Sequence, residues 1–315
     1  MSLKQATSLG GKTPSLPSGP PYSCMELDQW LGVSFWMPPG DNRLENIHNG
    51  HPAPTPPLEN LTGMIRYWQD NPEWMNMLDP QSPVYEDKKV EQALYLDFWG
   101  TFLQPHMRVL DLGGGVGRMT QWALAQDCEV ELVDPDLRSL WRALSMAVGK
   151  KGKIDLHWTT GEKLPEISPV DLVIACEVLN YVENPEQIID NIQAVLKPEG
   201  YLLLSVEARW GWAMSTDVAT GSLDAFFETG VVHVPGDRWV RTYMKSDLEK
   251  LLSGFTIVKI QPSHYCFSGP FEMVTGYLPP NEAIEMEQKF RDHPVASNLN
   301  RAWMVIAQKR SSQCA

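Results

Sequence analysis

Cysteine is scarce and unpaired in pattern: Cys24, Cys128, Cys176, Cys266 and Cys314 are an odd set of five with no C-x-x-C spacing. That fits reduced thiols in a cytoplasmic protein better than a disulfide framework or a cysteine-built zinc site. Positive charge is also short, with 26 Lys and Arg against 39 Asp and Glu and a formal net charge of −13. Polyanion binding rests on Lys and Arg contacts to phosphate, so no nucleic-acid partner is expected. Nowhere do apolar residues run for the roughly 18 positions that a membrane span needs. The first 21 residues lack the apolar stretch of a secretory leader. What is there is ordinary globular material, 43% hydrophobic and 21% charged over 315 residues. That length suits about two domains, or one α/β domain with additions.

Proline, by contrast, is concentrated. Ten of the 25 prolines lie within residues 1–60, where fixed φ angles and missing N–H groups argue against long helices or central strands. Residues 1–57 read as an irregular arm, with Leu27, Trp30, Leu31, Val33, Phe35 and Trp36 as an apolar cluster able to dock on a folded body. Residues 58–104 read as a helical lid. Leu61, Ile65 and Trp68 fall at helical spacing, and Glu86 to Gln104 carries Val90, Leu94, Leu96, Phe98 and Trp99 with few breakers.

From 105 to 310 apolar runs alternate with helical stretches. Strands are expected at Met107–Leu112, Glu129–Val133, Ile154–Thr159, Val170–Ala175, Tyr201–Val206, Phe255–Gln261 and Ala302–Gln308. Helices are expected from the glycine turn through Ala125, and at Leu137–Val148, Pro185–Leu196 and Asp247–Leu252. Such alternation predicts an α/β fold, a mostly parallel sheet with helices on both faces. Residues 207–245 and 262–301 interrupt it as insertions. Loops leaving the carboxyl ends of strands border the ligand crevice of such a sheet, so 207–245 is well placed to meet a substrate.

The sharpest motif is Val109-Leu110-Asp111-Leu112-Gly113-Gly114-Gly115-Val116-Gly117-Arg118. A strand running into glycines and then a helix sets backbone N–H groups beside a ligand. The dinucleotide fingerprint needs a small residue where Arg118 stands, which disfavours a nucleotide-dependent dehydrogenase. Asp111, ahead of the glycines, would repel a pyrophosphate and suits a ligand with a cationic ammonium. Asp134, in Glu131-Leu132-Val133-Asp134-Pro135-Asp136, closes the second strand at the distance where an acid takes ribose hydroxyls. Asp136 reads as the cap of the following helix.

These blocks together resemble the class I S-adenosylmethionine-dependent methyltransferases. Thr160-Gly161-Glu162-Lys163-Leu164-Pro165 is similar to the family's loop after the third strand. Asp171-Leu172-Val173-Ile174-Ala175-Cys176-Glu177-Val178-Leu179-Asn180-Tyr181-Val182 is similar to its fourth-strand block, and Leu196-Lys197-Pro198-Glu199-Gly200-Tyr201-Leu202-Leu203-Leu204 to its helix-to-fifth-strand block. The resemblance covers roughly residues 105–261 and 302–309 and is strongest for the small-molecule branch that includes the ubiquinone and menaquinone biosynthesis enzymes. It implies a Rossmann-like seven-stranded sheet ending in an antiparallel hairpin. It also implies S-adenosyl-L-methionine as cofactor and methyl transfer to oxygen or nitrogen of a small-molecule substrate, without a metal. Carried over, Asp111 with Gly113 and Gly115 would hold the methionine end, and Asp134 with Pro135 the ribose. Gly161 and Glu162 would take the adenine edge, and Cys176 with Glu177 the floor below the sulfonium. The sequence departs from the family at Glu162, where aspartate is commoner, and at Asn180-Tyr181, where histidine is frequent.

In-line displacement at a sulfonium requires the nucleophile, the methyl carbon and the sulfur to be aligned, an effect worth about 7–11 kcal/mol. An acceptor that carries a proton at neutral pH also needs a base, typically worth about 10²–10⁴-fold. Candidates are His233 in the first insertion, His264 at the start of the second, and Tyr181 as an orienting or packing residue. Trp210, Trp212, Phe226, Phe227 and Trp239, with Asp217, Asp224 and Glu228, suit a flat or cationic acceptor. A small helical cap with its own apolar face explains them equally well. Trp68, Trp74, Tyr85 and Trp99 divide in the same way between lid and core. His48 and His51 lack partners at metal-ligand spacing. Two other functions stay open: methylation of a peptide side chain, and a non-catalytic cofactor-binding scaffold.

Overall fold

The computed structural model describes residues 47–48, 71, 76–147, 149–214, 223–234 and 238–311. The arm's apolar cluster, the stripe Leu61, Ile65 and Trp68, and also His51, Trp74 and Asp217, lie outside the described residues. In chain order the strands are β1 (Ile47–His48), β2 (Arg108–Leu112), β3 (Glu129–Asp134), β4 (Lys153–Trp158), β5 (Val170–Cys176), β6 (Leu196–Glu207), β7 (Val231–Val234), β8 (Arg238–Arg241), β9 (Phe255–Ser263) and β10 (Ala302–Lys309). The helices are α1 (Tyr85–Trp99), α2 (Arg118–Ala125), α3 (Leu137–Met146), α4 (Pro185–Val195), α5 (Arg209–Ala213), α6 (Leu223–Phe227), α7 (Lys245–Leu251), α8 (Glu272–Thr275) and α9 (Pro280–Asp292).

Eight strands form one sheet in the order β1-β4-β3-β2-β5-β6-β10-β9. From β1 to β6 every neighbour is parallel. β10 runs antiparallel to both β6 and β9, which makes the expected terminal hairpin. The seven longer strands are those read from the sequence; β1 adds a two-residue edge, with Ile47 and His48 beside Leu156 and His157.

Alternation along each strand sorts the core into two layers. Val109, Leu172, Ile174, Leu203, Met304 and Ile306 face the side covered by Tyr95 and Trp99 of α1, Leu124 of α2 and Trp141 of α3. Leu110, Leu112, Val173, Ala175, Leu202, Leu204 and Val305 face Ile188 and Ile192 of α4 and Leu248 of α7. Trp99 and Trp141 are fully buried, and at about 25 cal/mol per Å² each contributes about 4–6 kcal/mol of burial. Trp99 is thus a core residue, stacked on Tyr95 with ring centroids 4.7 Å apart. Asn184 caps α4 by accepting from Gln187 N at 3.0 Å, and Pro185 starts its first turn. No helix among the described residues is long and apolar enough to cross a membrane.

Three sequence expectations change. The helix that begins at Pro185 ends at Val195, as expected, but the following strand starts earlier than Tyr201: β6 begins at Leu196, paired with Val170 across a register shift, and Glu199 sits at φ 63°. Asp136 occupies the cap position of α3, but its carboxylate takes the Ser139 hydroxyl at 2.9 Å and the Arg138 guanidinium at 3.0 Å rather than a backbone N–H. The first insertion is not purely helical. Alongside α5 and α6 it carries the antiparallel hairpin β7–β8, and Trp212, Phe226, Val232, Val234 and Val240 pack there as a small core of their own.

Candidate active site

The strand order reverses around β2, which lies between β3 and β5, and the carboxyl ends there open onto a crevice. Gly113 and Gly115 turn the chain out of β2 at φ 64° and 56°, a region other residues enter at a cost. A Cβ on Gly113 would stand 2.6 Å from a methyl of Val178, whereas one on Gly115 would meet nothing within 4 Å. The backbone at Gly115 therefore borders open space.

Two acids brace this loop from beneath. Asp134, at the end of β3, accepts from Gly115 N at 2.9 Å and from Asp136 N at 2.8 Å. Burial, together with Asp136 and Asp111 nearby, raises its carboxyl to about 7 against the two backbone hydrogen bonds. Asp111 accepts the Thr120 hydroxyl at 2.6 Å on one oxygen. Its other oxygen, Oδ1, is buried with no hydrogen-bond partner among the described residues. Burial lifts Asp111 to about 6, opposed by Thr120. A buried acceptor atom without a donor costs roughly 1–3 kcal/mol unless a ligand supplies one.

A cavity of about 680 Å³ opens at this point, and Asp111, Gly113, Gly115, Asp134, Pro135, Gly161, Glu162, Cys176, Glu177, Tyr181 and His264 all line it. The loop bearing Gly161 and Glu162 is tied down by Asn191 of α4, which donates to their carbonyls at 2.7 and 3.2 Å. Burial pushes the Cys176 thiol up to about 12, so it lines the wall as a neutral group. Tyr181 is likewise raised, by burial and then by Glu207 and Glu177. His233 is the exception. It is exposed on β7 between buried Val232 and Val234, and it does not line the cavity, because strand alternation turns it to the outer face. Nor do Asp224 and Glu228 reach the cavity: both are exposed, and of the insertion's aromatics only Trp212 borders it.

Among the lining groups, Glu91, Arg118 as its partner, and Arg301 were not read as site residues from the sequence, whereas Glu177 and His264 were. Glu91, on the buried face of α1, pairs with Arg118 at the start of α2 and with Lys88 at 2.9 Å. Burial would raise its carboxyl, but Arg118, Lys88 and His264 outweigh that and hold it well below the ordinary value. Arg118, the residue that breaks the dinucleotide fingerprint, thus anchors α1 to the glycine loop. Glu177 follows β5 at φ 61° and accepts the Tyr95 hydroxyl at 2.6 Å. Such left-handed backbone in a non-glycine residue costs of order 1–3 kcal/mol and clusters at functional sites. His264, also left-handed at φ 62°, is buried, with Nε2 3.9 Å from Glu91 Oε1. On the opposite wall Arg301 bonds Glu207 at 2.8 Å and lies 3.8 Å from the Trp212 ring centroid. The signal that could have exposed Glu91 is its place four residues before Tyr95 on an otherwise apolar helix stripe.

Comparison with known proteins adds the following. Residues 86–259 match the family model described as a methyltransferase domain. A ubiquinone biosynthesis O-methyltransferase of Rickettsia canadensis is 31% identical over 99 residues, which are 31% of this chain and 42% of that relative. The match therefore spans less than half the relative's length. Among solved structures, an S-adenosylmethionine-dependent methyltransferase from Mesorhizobium loti aligns with TM-score 0.52 and 20% identity, over 70% of this chain and 99% of the other. The 1,6-didemethyltoxoflavin-N1-methyltransferase of Burkholderia thailandensis, solved with its acceptor and S-adenosylhomocysteine, aligns with TM-score 0.50 and 17% identity over 83% and 94%. At these identities the structural likeness establishes the fold.

Proposed function

The chain belongs to the methyltransferase-domain family matched over residues 86–259, and from that premise we propose that it transfers the methyl group of S-adenosylmethionine to an oxygen or nitrogen of a small molecule. One observation carries this reading. A single cavity joins the row Asp111, Gly115 and Asp134 to a further space walled by Trp212, Arg301 and Met273. Its volume of about 680 Å³ is within the roughly 300–1,000 Å³ of small-ligand sites, which supports a cofactor with a compact acceptor.

The donor chemistry of the near half suits the cofactor. The unpartnered Asp111 Oδ1 is matched to an ammonium, and the open face at Gly115 leaves room for the methionine end. Asp134, already aligned by two backbone N–H groups, keeps lone pairs for ribose hydroxyls, with Pro135, Gly161 and Glu162 toward the adenine. Cys176 and Glu177 form the floor nearest the acceptor side. S-Adenosylmethionine, when bound, supplies a methyl group on a positively charged sulfur. Tyr181, kept protonated by burial, is available to orient an acceptor, and the Arg301–Trp212 stack shields that side from water. The relative that methylates oxygen and the neighbour that methylates nitrogen bracket the acceptor chemistry.

The test is methyl transfer from tritium-labelled S-adenosylmethionine into a cell extract separated by size. Label in the small-molecule fraction is expected. Label found solely in protein would replace this reading with peptide methylation.

A further inference from the structure

We propose that Glu177 is the catalytic base on the acceptor side, and that His264 is held as an imidazolium counter-charge to Glu91. The inference rests on the reading of the cavity as a cofactor and acceptor site, and it assigns the proton that reading leaves unplaced. The geometry begins with a cluster: ligating atoms of Glu91, Glu177 and His264 all lie within 4.8 Å of one another at the cavity wall. The three differ in what already surrounds them. Glu91 is paired with Lys88 and Arg118, both on Oε2, and these cations hold its carboxyl well below the ordinary value, so it is a weak proton acceptor. Those two cations also oppose a divalent ion in the cluster.

His264 is buried among carboxylates. Nδ1 lies 3.1 Å from Ser263 Oγ, which reaches the buried Glu287 at 3.5 Å, while Nε2 points toward Glu91. Burial disfavours its charged form, but Glu91, Glu287 and Glu177 outweigh burial and raise its pKa. These carboxylates favour the charged form of the ring, which has no lone pair for an acceptor's proton. Glu177 is different. One oxygen takes the Tyr95 hydroxyl at 2.6 Å, and among the described residues no lysine or arginine is ion-paired with its carboxylate. Burial and then Glu91 raise it from its ordinary value, in the direction of the pH at which a base works well. Its backbone is fixed by the N–H donated to the carbonyl of Ser205 at 3.0 Å and to its hydroxyl at 3.1 Å. Besides burial, the groups that set its titration are Glu91 and Lys88 from α1, Glu207 from β6 and Arg118 from α2, and its own charge is felt by Tyr95, Cys176, Tyr181, His264 and Arg301.

The step balances as follows. The acceptor's O–H or N–H proton passes to the free oxygen of Glu177, and the lone pair so released forms the new bond to the methyl carbon. The carbon–sulfur pair leaves on sulfur, giving neutral S-adenosylhomocysteine, and Glu177 returns its proton to water.

Two measurements on the full chain test this without a known acceptor. In ¹⁵N spectra of the histidine rings, with the His264→Gln spectrum identifying the signal, His264 should carry protons on both nitrogens at pH 7.5 and lose one in Glu91→Gln. A neutral His264 at that pH in the wild type would overturn the assignment. By calorimetry, sinefungin, which carries an amine where the sulfonium bears its methyl, should lose at least about tenfold of its affinity relative to S-adenosylhomocysteine in Glu177→Gln. An unchanged ratio refutes Glu177 alone. Failure of the wild type to bind either ligand refutes the cofactor reading itself.

Discussion

Replacing Asp134 by asparagine separates binding from folding. The carboxylate accepts from Gly115 N at 2.9 Å and Asp136 N at 2.8 Å, and asparagine offers one acceptor and one donor in the same space. One N–H of the loop then faces an NH₂ group, and a ribose hydroxyl loses a charged acceptor. Hydrogen bonds to charged groups are worth about 1.5–3 kcal/mol, so S-adenosylhomocysteine should bind roughly 10- to 150-fold more weakly. Folding responds differently. The folded carboxyl sits near 7, above its unfolded value of about 3.9, so the folded state binds more protons across that interval. Its contribution to stability is complete below about pH 4 and is lost as pH rises through about 7. The neutral variant lacks this term, and its melting temperature should depend less on pH across that window. Calorimetry with S-adenosylhomocysteine and melting curves from pH 4 to 8 read the two effects. Affinity within about twofold of wild type would refute the placement of Asp134 against the ribose.

Three further outcomes are expected. Affinity for S-adenosylhomocysteine should fall between pH 8 and 5.5, because Asp134 and Asp111 take up protons near 7 and 6; calorimetry in buffers of different ionisation enthalpy should show proton release on binding, and a flat profile would count against both acids. Glu287→Ala removes a fully buried carboxylate that accepts from Tyr265 N at 2.7 Å and Cys266 N at 3.0 Å. Denaturant unfolding should show a loss of roughly 2–5 kcal/mol, with Glu287→Gln milder because both bonds end on one oxygen; equal losses in the two variants would contradict this. His233→Ala should leave cofactor affinity and turnover unchanged, since the side chain is exposed outside the cavity, and a drop in turnover would return it to the list of bases.

Local chemistry was legible in the sequence and long-range pairing was not. The stretch from Val109 to Arg118 and the acid at Asp134 could be read directly, because strand, glycine turn and helix follow one another in the chain. The boundaries of β2, β3 and β5 differed from expectation by a residue or so for the same reason. The helix before β6 stopped where expected, at Val195, but the strand was expected only from Tyr201, whereas Leu196 is already paired with Val170. The acceptor side was largely hidden. Glu91 meets Arg118 27 residues away, and Tyr95 meets Glu177 82 residues away; neither local pattern identifies which residue the partner is. A cue did exist in the helices: Glu91 with Tyr95, and Ala283 with Glu287, lie four apart on buried stripes, and an acid on such a stripe must be satisfied from elsewhere in the fold. His233 could have been rejected from its flanking valines, since an apolar–polar–apolar triplet in a strand turns the middle residue outward.

The most direct test of the proposed function is a crystal structure of the chain soaked with S-adenosylhomocysteine. The expected result has the ligand's ammonium on Asp111, its ribose on Asp134, and its sulfur facing Glu177, with space left toward Trp212 and Arg301. A ligand bound elsewhere, or a sulfur that faces a closed wall with no room for an acceptor, would contradict it.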